Sequence, residues 1–290
     1  MTTGVHTIFD VTDEIATLTL NRPEAKNALS NEMRVELDAA LEECTARAGD
    51  DIKVLIITGA GGAFCAGGDV KGMGDRSKDS IANRTRMRGS HTTMYQLAHL
   101  ELPVISLVDG PAAGAGANIA LAADFVLATP RAYFMQAFGR IGLVPDWGGF
   151  YILPRMVGLQ KAKELVFTAR RVYAEEAKEL GMVLDIVGQD TAMDEAREFA
   201  GRFRNASTSA IGIAKNILNQ AHNQDHRTLI ELEASGQSIA RMSDFHKEAV
   251  RRFRDKEPSL YDWEALERAA GDMKKAAEQQ PLGRVAGASG

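Results

Sequence analysis

The sequence predicts an α/β fold in which helices join parallel strands. Three apolar, β-rich runs support this prediction: KVLIITG (53–59), VISLVDG (104–110) and FVLAT (125–129). The first two runs each lead into a turn rich in Gly and Ala, and segments with helical spacing of apolar residues lie between them. Strands that alternate with helices in this way form parallel sheets, because parallel neighbours need a crossover connection.

The N-terminal part of the chain predicts a β-hairpin followed by a helix. Residues 5–11 and 14–20 alternate apolar and polar side chains on either side of Thr12-Asp13, as paired strands do. Ser30 suits the N-terminal cap of the next segment, in which apolar residues recur at helical spacing: Met33, Leu37, Ala40, Leu41 and Cys44. This helix leads to the strand 53–59.

The middle of the chain predicts two turns of small residues. GAGGAFCAGGD (59–69) is the first, and a polar stretch to about residue 90 and a helix through Tyr95 and Leu97 follow it. PAAGAGANIALAAD (111–124) is the second, between two strands. Gly lets a backbone approach a ligand closely, so such turns suit anions or developing oxyanions. Ordinary tight turns would also explain either segment taken alone.

The C-terminal third is predicted to be helical. From Glu164 onward the apolar residues keep helical spacing, and no strand is predicted after 182–188. We expect residues 1–200 to form the core and residues 201–290 to form a helical region that ends in a mobile tail, 274–290.

Composition excludes several classes of protein. A net charge of −5 gives no basic field for nucleic acid or an anionic membrane surface. The two cysteines are too few for a disulfide scaffold, and no Cys/His spacing indicates a metal site. No apolar run reaches the roughly 18 residues of a membrane span, and the N-terminus lacks the pattern of a targeting peptide. We therefore expect a cytoplasmic protein.

Five segments together resemble the enoyl-CoA hydratase/isomerase (crotonase) superfamily, in the family's order. They are NRPEAKNALS (21–30), AFCAGGDVKGM (63–73), PVISLVDGPAAGAGANIALAAD (103–124), GRIGLVPDWGGFYILPRMVG (139–158) and ARRVYAEEAKELGMV (169–183). The resemblance implies a crotonase-like spiral of ββα units with a helical C-terminal trimerisation region, assembled as a homotrimer or hexamer. It implies an acyl-CoA thioester substrate, no metal and no redox cofactor, with coenzyme A bound as part of the substrate.

The resemblance also implies an oxyanion hole made of backbone amides. The residues at the family's two donor positions are Gly68 and Ala115, and fixed N–H donors would stabilise the oxygen of a thioester enolate. Cys65, beside this turn, is interpreted as a packing residue, and Asp124 as structural. The positions that surround coenzyme A in the family carry Lys26, Ala28, Ala66, Val70 and Lys256.

The chain departs from typical hydratases where they carry two catalytic glutamates. Those positions hold Asn118 and Phe138, and neither side chain can act as a general base. Asp146 lies where isomerase relatives carry an aspartate, and one carboxylate suffices to move a proton between two carbons of a dienolate. Without the resemblance, the residues favour reading Asp146 as a helix cap.

These departures favour an isomerase and leave three alternatives open. A hydratase would use Asp146 with an ordered water. A dehalogenase or thioester hydrolase would use Asp146 as a nucleophile with His91 in support. A non-catalytic acyl-CoA-binding protein would have kept the fold alone. Because Phe245, Val250 and Phe253 give the C-terminal helices an apolar face that needs a partner, we do not expect a monomer.

Overall fold

The computed structural model describes residues 2–69 and 79–279, and these form helices and strands in alternation. The strands are β1 (Thr2–Thr3), β2 (Thr7–Thr12), β3 (Ile15–Leu20), β4 (Val54–Gly59), β5 (Val104–Val108), β6 (Pro111–Ala113), β7 (Phe125–Ala128), β8 (Tyr133–Met135), β9 (Arg171–Tyr173) and β10 (Asp185–Ile186). The helices are α1 (Asn31–Ala46), α2 (Ser80–His99), α3 (Ala115–Leu121), α4 (Gly149–Val157), α5 (Leu159–Thr168), α6 (Ala174–Glu179), α7 (Ala192–Gly201), α8 (Thr208–Leu218), α9 (His226–Arg241), α10 (Asp244–Asp255) and α11 (Trp263–Gln279).

A seven-stranded sheet organises the chain, in the order β1-β2-β3-β4-β5-β7-β10. The hairpin prediction is confirmed, because β2 and β3 are antiparallel with Val11 opposite Ala16. From β3 to β10 all neighbours are parallel, so the predicted α/β class is confirmed as well. A second, three-stranded sheet has the order β6-β8-β9.

The central strands are apolar on both faces because helices cover both sides of the sheet. In β4, Leu55 and Ile57 belong to the larger apolar cluster, which also contains Met33 of α1. Val54 and Ile56 alternate with them and belong to the second cluster, on the side of α7. Burial on both faces explains why this strand reads as a continuous apolar run.

Two segments differ from the sequence prediction. α2 begins at Ser80, about ten residues earlier than predicted, and the Asp79 side chain caps it by accepting from the Ile81 amide (2.9 Å). Its first half carries few buried side chains, so the sequence has no apolar stripe there from which the start of the helix could be predicted. The segment 111–124 is not a turn, since it forms β6 and α3. All seven residues of α3 are buried, which only small side chains at most of its positions allow.

The C-terminal region is helical, as predicted. α11 continues to Gln279, so the first part of the predicted tail is helix, and residues 280–290 lie outside the described residues. Val250 and Phe253 of α10 are 49% and 87% exposed, and Phe245 is half-buried. Their contact with a second copy stays a prediction. No helix in the described ranges is long and apolar enough to span a membrane.

A partly buried ion pair attaches this helical region to the sheet. Lys215 of α8 donates to Asp124 Oδ2 (2.8 Å) and to the Leu102 carbonyl (3.0 Å), and Asp124 Oδ2 also accepts from the Val104 amide (2.8 Å). Burial raises the pKa of Asp124 and lowers the pKa of Lys215, since it disfavours both charged forms. These contacts agree with the structural role predicted for Asp124.

Candidate active site

The two glycine-rich segments of the sequence meet at one place. Cys65 pairs with Ala112 in a parallel bridge, and the Ala113 amide donates to the Cys65 carbonyl (2.9 Å). A Cβ on Gly67 would lie 2.7 Å from the Ala113 carbonyl oxygen and 3.6 Å from the Ala115 nitrogen. Gly67 also has a φ of +95°, so both its conformation and its surroundings require glycine.

Two backbone amides at this meeting point are open to a ligand. Among the hydrogen bonds of the described residues, neither the Gly68 amide nor the Ala115 amide donates to another group. The amides of their neighbours are engaged: Gly67 donates to Cys65 Sγ (3.4 Å) and Gly114 donates to the Met135 carbonyl (2.8 Å). Gly68 and Ala115 therefore present two donors at one cavity that no group in the described part of the chain uses.

These donors line a cavity of about 720 Å³, a size typical of small-molecule sites. Its walls come from the start of α1, the first glycine turn, one side of α2, the start of α3 and the segment 137–147. The predicted site residues that line it are Ala66, Gly68, Ala115 and Asp146. The structure thus brings together residues that lie up to 80 positions apart in the sequence.

A strained turn carries Asp146 into this cavity. Asp146 is half-buried, and Trp147 after it adopts a left-handed conformation (φ +47°), which is unusual for a bulky residue. The Trp147 ring is 4% exposed and packs in the core, which fixes the turn. The alternative that Asp146 caps α4 is wrong, because the cap residue is Gly148, with no side-chain capping bond.

A buried pair of amide side chains holds the backbone of Asp146. Asn118 donates from Nδ2 to the Asp146 carbonyl (2.7 Å) and accepts from Gln136 Nε2 at Oδ1 (2.8 Å). Asn118 and Gln136 are 1% and 4% exposed. A Cβ on Gly149 would lie 2.5 Å from Asn118 Nδ2, so the loop is close-packed on this amide. Sequence reasoning missed Gln136, since no motif marks it.

Hydrogen bonds and an ion pair connect the loop before α1 to the first glycine turn. Asn27, fully buried, donates to the carbonyls of Ala60 (2.9 Å) and Ala63 (2.7 Å) and accepts from the Arg22 amide (2.8 Å). Arg22 in turn pairs with Asp69 (2.6 Å). Two segments distant in sequence are therefore joined beside the cavity.

Lys26, Ala28 and Lys256, also predicted to contact coenzyme A, are not among the described residues that line the cavity. The Lys26 carbonyl accepts from the Ala66 amide (2.9 Å), and the Ala28 carbonyl accepts from Arg22 (3.2 Å), so both carbonyls are engaged within the chain. Lys256 follows α10 and is exposed. Val70 lies outside the described residues. The predicted coenzyme A contacts of these four residues stay predictions.

The surroundings of Cys65, Phe138 and His91 indicate what each side chain can contribute to the site. Burial raises the pKa of Cys65 to about 12, which keeps it a neutral thiol and fits a packing role. Phe138 forms an apolar part of the cavity wall, and His91 lines the cavity from α2 with an exposed ring. Within the described ranges, no group of three or more His, Cys, Asp or Glu side chains could hold a metal ion.

The fold and the sequence match one family over most of the chain. The family model of enoyl-CoA hydratase/isomerase matches residues 10–264. A 1,2-epoxyphenylacetyl-CoA isomerase of Escherichia coli K12 is 37% identical over 244 residues, covering 82% of this chain and 91% of the relative. A probable enoyl-CoA hydratase of Rhodobacter capsulatus is also 37% identical, over 255 residues, covering 87% and 96%.

A solved structure agrees with this match. The enoyl-CoA hydratase/isomerase of Cupriavidus metallidurans CH34 superposes with a TM-score of 0.85 at 35% identity, covering 90% of this chain and 97% of that one. Such similarity in sequence and fold extends over both glycine-rich segments and the cavity between them. The chain belongs to the enoyl-CoA hydratase/isomerase family.

Proposed function

We propose that this enzyme shifts a carbon–carbon double bond in an acyl-CoA thioester, with Asp146 as a single acid/base. The carboxylate removes a proton from C2 of a 3-enoyl thioester, and the electron pair delocalises onto the thioester oxygen. The Gly68 and Ala115 amides stabilise this oxygen, and the same proton returns to C4 to give the 2-enoyl product.

The single observation that carries the proposal is the fixed position of Asn118. Hydration by two carboxylates needs a second acid at the cavity, whereas the Asn118 amide is held by Gln136 on one side and by the Asp146 carbonyl on the other. Phe138, at the other position, cannot carry a proton. Asp146 is the one carboxylate among the described residues that line the cavity.

The experiment compares the wild-type enzyme with the variant Asp146→Asn on 3-enoyl-CoA and 2-enoyl-CoA. We expect the wild-type enzyme to interconvert the two isomers without a change in mass. The variant should turn over at least about a hundredfold more slowly, the usual contribution of a general base, while a saturated acyl-CoA binds with nearly unchanged affinity. Thioester absorbance, mass spectrometry and calorimetric titration provide the three measurements.

Asp194→Asn in the first turn of α7 is the matched control, because Asp194 is exposed and lies outside the cavity. It should keep wild-type turnover. A product heavier by one water would make the enzyme a hydratase. Normal turnover in the Asp146 variant would refute the proton shuttle, and absence of turnover on either thioester in the wild type would favour a binding protein.

A further inference from the structure

Arg34, on the cavity wall, makes no ion pair with any carboxylate of the described residues. Arg34 lies one turn into α1 and lines the cavity. Its Nε is shielded from solvent, and within the described part of the chain it makes no hydrogen bond. Other arginines of the chain donate to carboxylates, as Arg22, Arg47, Arg131, Arg170 and Arg251 do.

Basic side chains outnumber acidic ones among the described residues that line the cavity. Arg140 and His91 also line it, and Arg140 donates from Nε to the Ala169 carbonyl (3.1 Å). Asp146 is the only acid among the described lining residues, and the proposed reaction uses it. The cavity wall therefore carries two guanidinium groups. Its one described carboxylate is the group that the proposed reaction uses to transfer the proton.

An apolar acyl chain would be a poor occupant of this space. It would displace water from the Arg34 guanidinium without supplying an acceptor, and desolvating an unpaired charged donor is costly. A carboxylate would accept two parallel hydrogen bonds from the planar fork and neutralise it. A lysine could not form that two-point contact.

We propose that Arg34 binds a second carboxylate, carried by the acyl group, so that the preferred substrates are coenzyme A thioesters of dicarboxylic acids. This inference rests on the proposed function in one respect, namely that the cavity holds the acyl group. It assigns Arg34 to substrate selection and gives it no part in proton transfer.

Binding of saturated thioesters tests the proposal independently of turnover, because such thioesters cannot be isomerised. Three acyl-CoA ligands of equal chain length are titrated by calorimetry, ending in a carboxylate, its methyl ester or a methyl group. We expect the wild type to bind the carboxylate about 10 to 100 times more tightly than the methyl-ended ligand, the range for a hydrogen bond to a charged group.

Three variants locate the preference. Arg34→Met should lower the ratio of the two affinities to about one, and Arg34→Lys should retain an intermediate ratio, since it keeps the charge and loses the fork. Arg84→Met is the matched control, because Arg84 is exposed on α2 near the cavity without lining it. It should keep the wild-type ratio, and melting temperatures check that every variant folds.

Several outcomes would overturn the assignment. Equal wild-type affinities for the carboxylate and the methyl group would refute it, and so would an ester bound as tightly as the carboxylate. Uniform weakening of all three ligands and of free coenzyme A by Arg34→Met would mean that Arg34 contacts the coenzyme. If the carboxylate preference holds while Asp146→Asn keeps normal turnover, the proposed reaction fails and this inference stands.

Discussion

The cavity has two walls that differ in how the chain builds them. The inner wall consists of the turn 66–68 and the start of α3, and the buried amides of Asn118 and Gln136 lie outside the cavity lining. The outer wall consists of Arg34, Met87 and His91, together with the segment 141–144. The inner wall offers backbone groups, whereas the outer wall offers side chains of varied size and charge.

Their packing differs as strongly as their composition. A Cβ on Gly116 would lie 2.3 Å from the Cys65 carbonyl oxygen, so the inner wall leaves no room for a larger residue there. In the outer wall, Ile141 and Val144 are 59% and 70% exposed, and a Cβ on Gly142 would meet no atom within 4 Å. The difference suggests that the inner wall fixes the reaction and the outer wall selects the acyl group.

The largest effect should come from adding one methyl group to the inner wall. Gly67→Ala places a Cβ 2.7 Å from the Ala113 carbonyl at a φ of +95°, which must displace the Gly68 and Ala115 amides. We expect turnover to fall about 100- to 1,000-fold, as when an oxyanion donor is removed. Thioester assays give the rate, and thermal unfolding gives the accompanying loss of stability.

Gly142→Ala is the comparison in the outer wall. It also has positive φ (+70°) but open space around it, so only the conformational cost of about 1 kcal/mol applies. Its turnover should stay within a few-fold of the wild type. Equal losses of turnover in the two variants would remove the distinction between the walls.

A smaller effect should follow from cutting the link between the inner wall and Asp146. Asn118→Ala leaves Gln136 Nε2 without its acceptor and removes one of two hydrogen bonds to the Asp146 carbonyl, which still accepts from the Gly149 amide (3.0 Å). The loss should cost about 1–3 kcal/mol of unfolding free energy. A looser Asp146 should lower kcat about tenfold while a saturated acyl-CoA binds as before. Denaturant titration, steady-state kinetics and calorimetry measure the three quantities.

Asn216→Ala serves as the control for this variant, because it removes a single hydrogen bond to Glu101 (3.2 Å) away from the cavity. It should keep the wild-type kcat. If Asn118→Ala lost stability but kept its kcat, the amide pair would support the fold without positioning the carboxylate.

The smallest effect concerns a charge pair behind the inner wall, where β5 leads into β6. Hydrogen bonds from Arg131 hold the pKa of Asp109 at about 2, against an ordinary value near 3.8. Because the folded-state pKa is lowered, the pair stabilises the fold above about pH 4, and this contribution is lost as the pH falls towards 2. Arg131 is about half exposed, so we expect about 1 kcal/mol.

Arg131→Met tests this pair by urea unfolding at several pH values. The difference in unfolding free energy from the wild type should be largest near pH 6 and shrink on acidification towards pH 3. A difference that is independent of pH would mean that Arg131 acts through packing alone.

The sequence predicted those parts of the fold whose pattern is local. Strands β3 and β4 could be recognised because alternation or a continuous apolar run marks a strand buried on one or both faces. The start of α2 could not, since its first half lies on the surface and carries no apolar stripe. The segment 111–124 looked like a turn because it is rich in Gly and Ala. A helix that is buried on all sides, as α3 is, also needs such small residues.

The residues of the candidate site could be predicted where they belong to a family motif. Ala66, Gly68, Ala115 and Asp146 could be placed by resemblance, and the structure puts them at one cavity. The bond between Gln136 and Asn118 joins residues 18 positions apart, and only the pairing of β8 with β6 brings their elements together. Arg34 looked like any polar residue of an amphipathic helix. A polar side chain that faces a cavity and one that faces bulk solvent give the same sequence pattern.

The position of the Gly68 and Ala115 donors on the main chain has an evolutionary consequence. Only a change to proline removes a backbone amide, so every other substitution at Gly68 or Ala115 leaves the donor in place. The close packing around Gly67 and Gly116 leaves no room for a larger residue at either glycine. Inherited variation that survives at this cavity should therefore accumulate on the outer wall. Substitutions on the outer wall can change which acyl groups are accepted. The oxyanion donors, and with them the reaction, are then inherited unchanged.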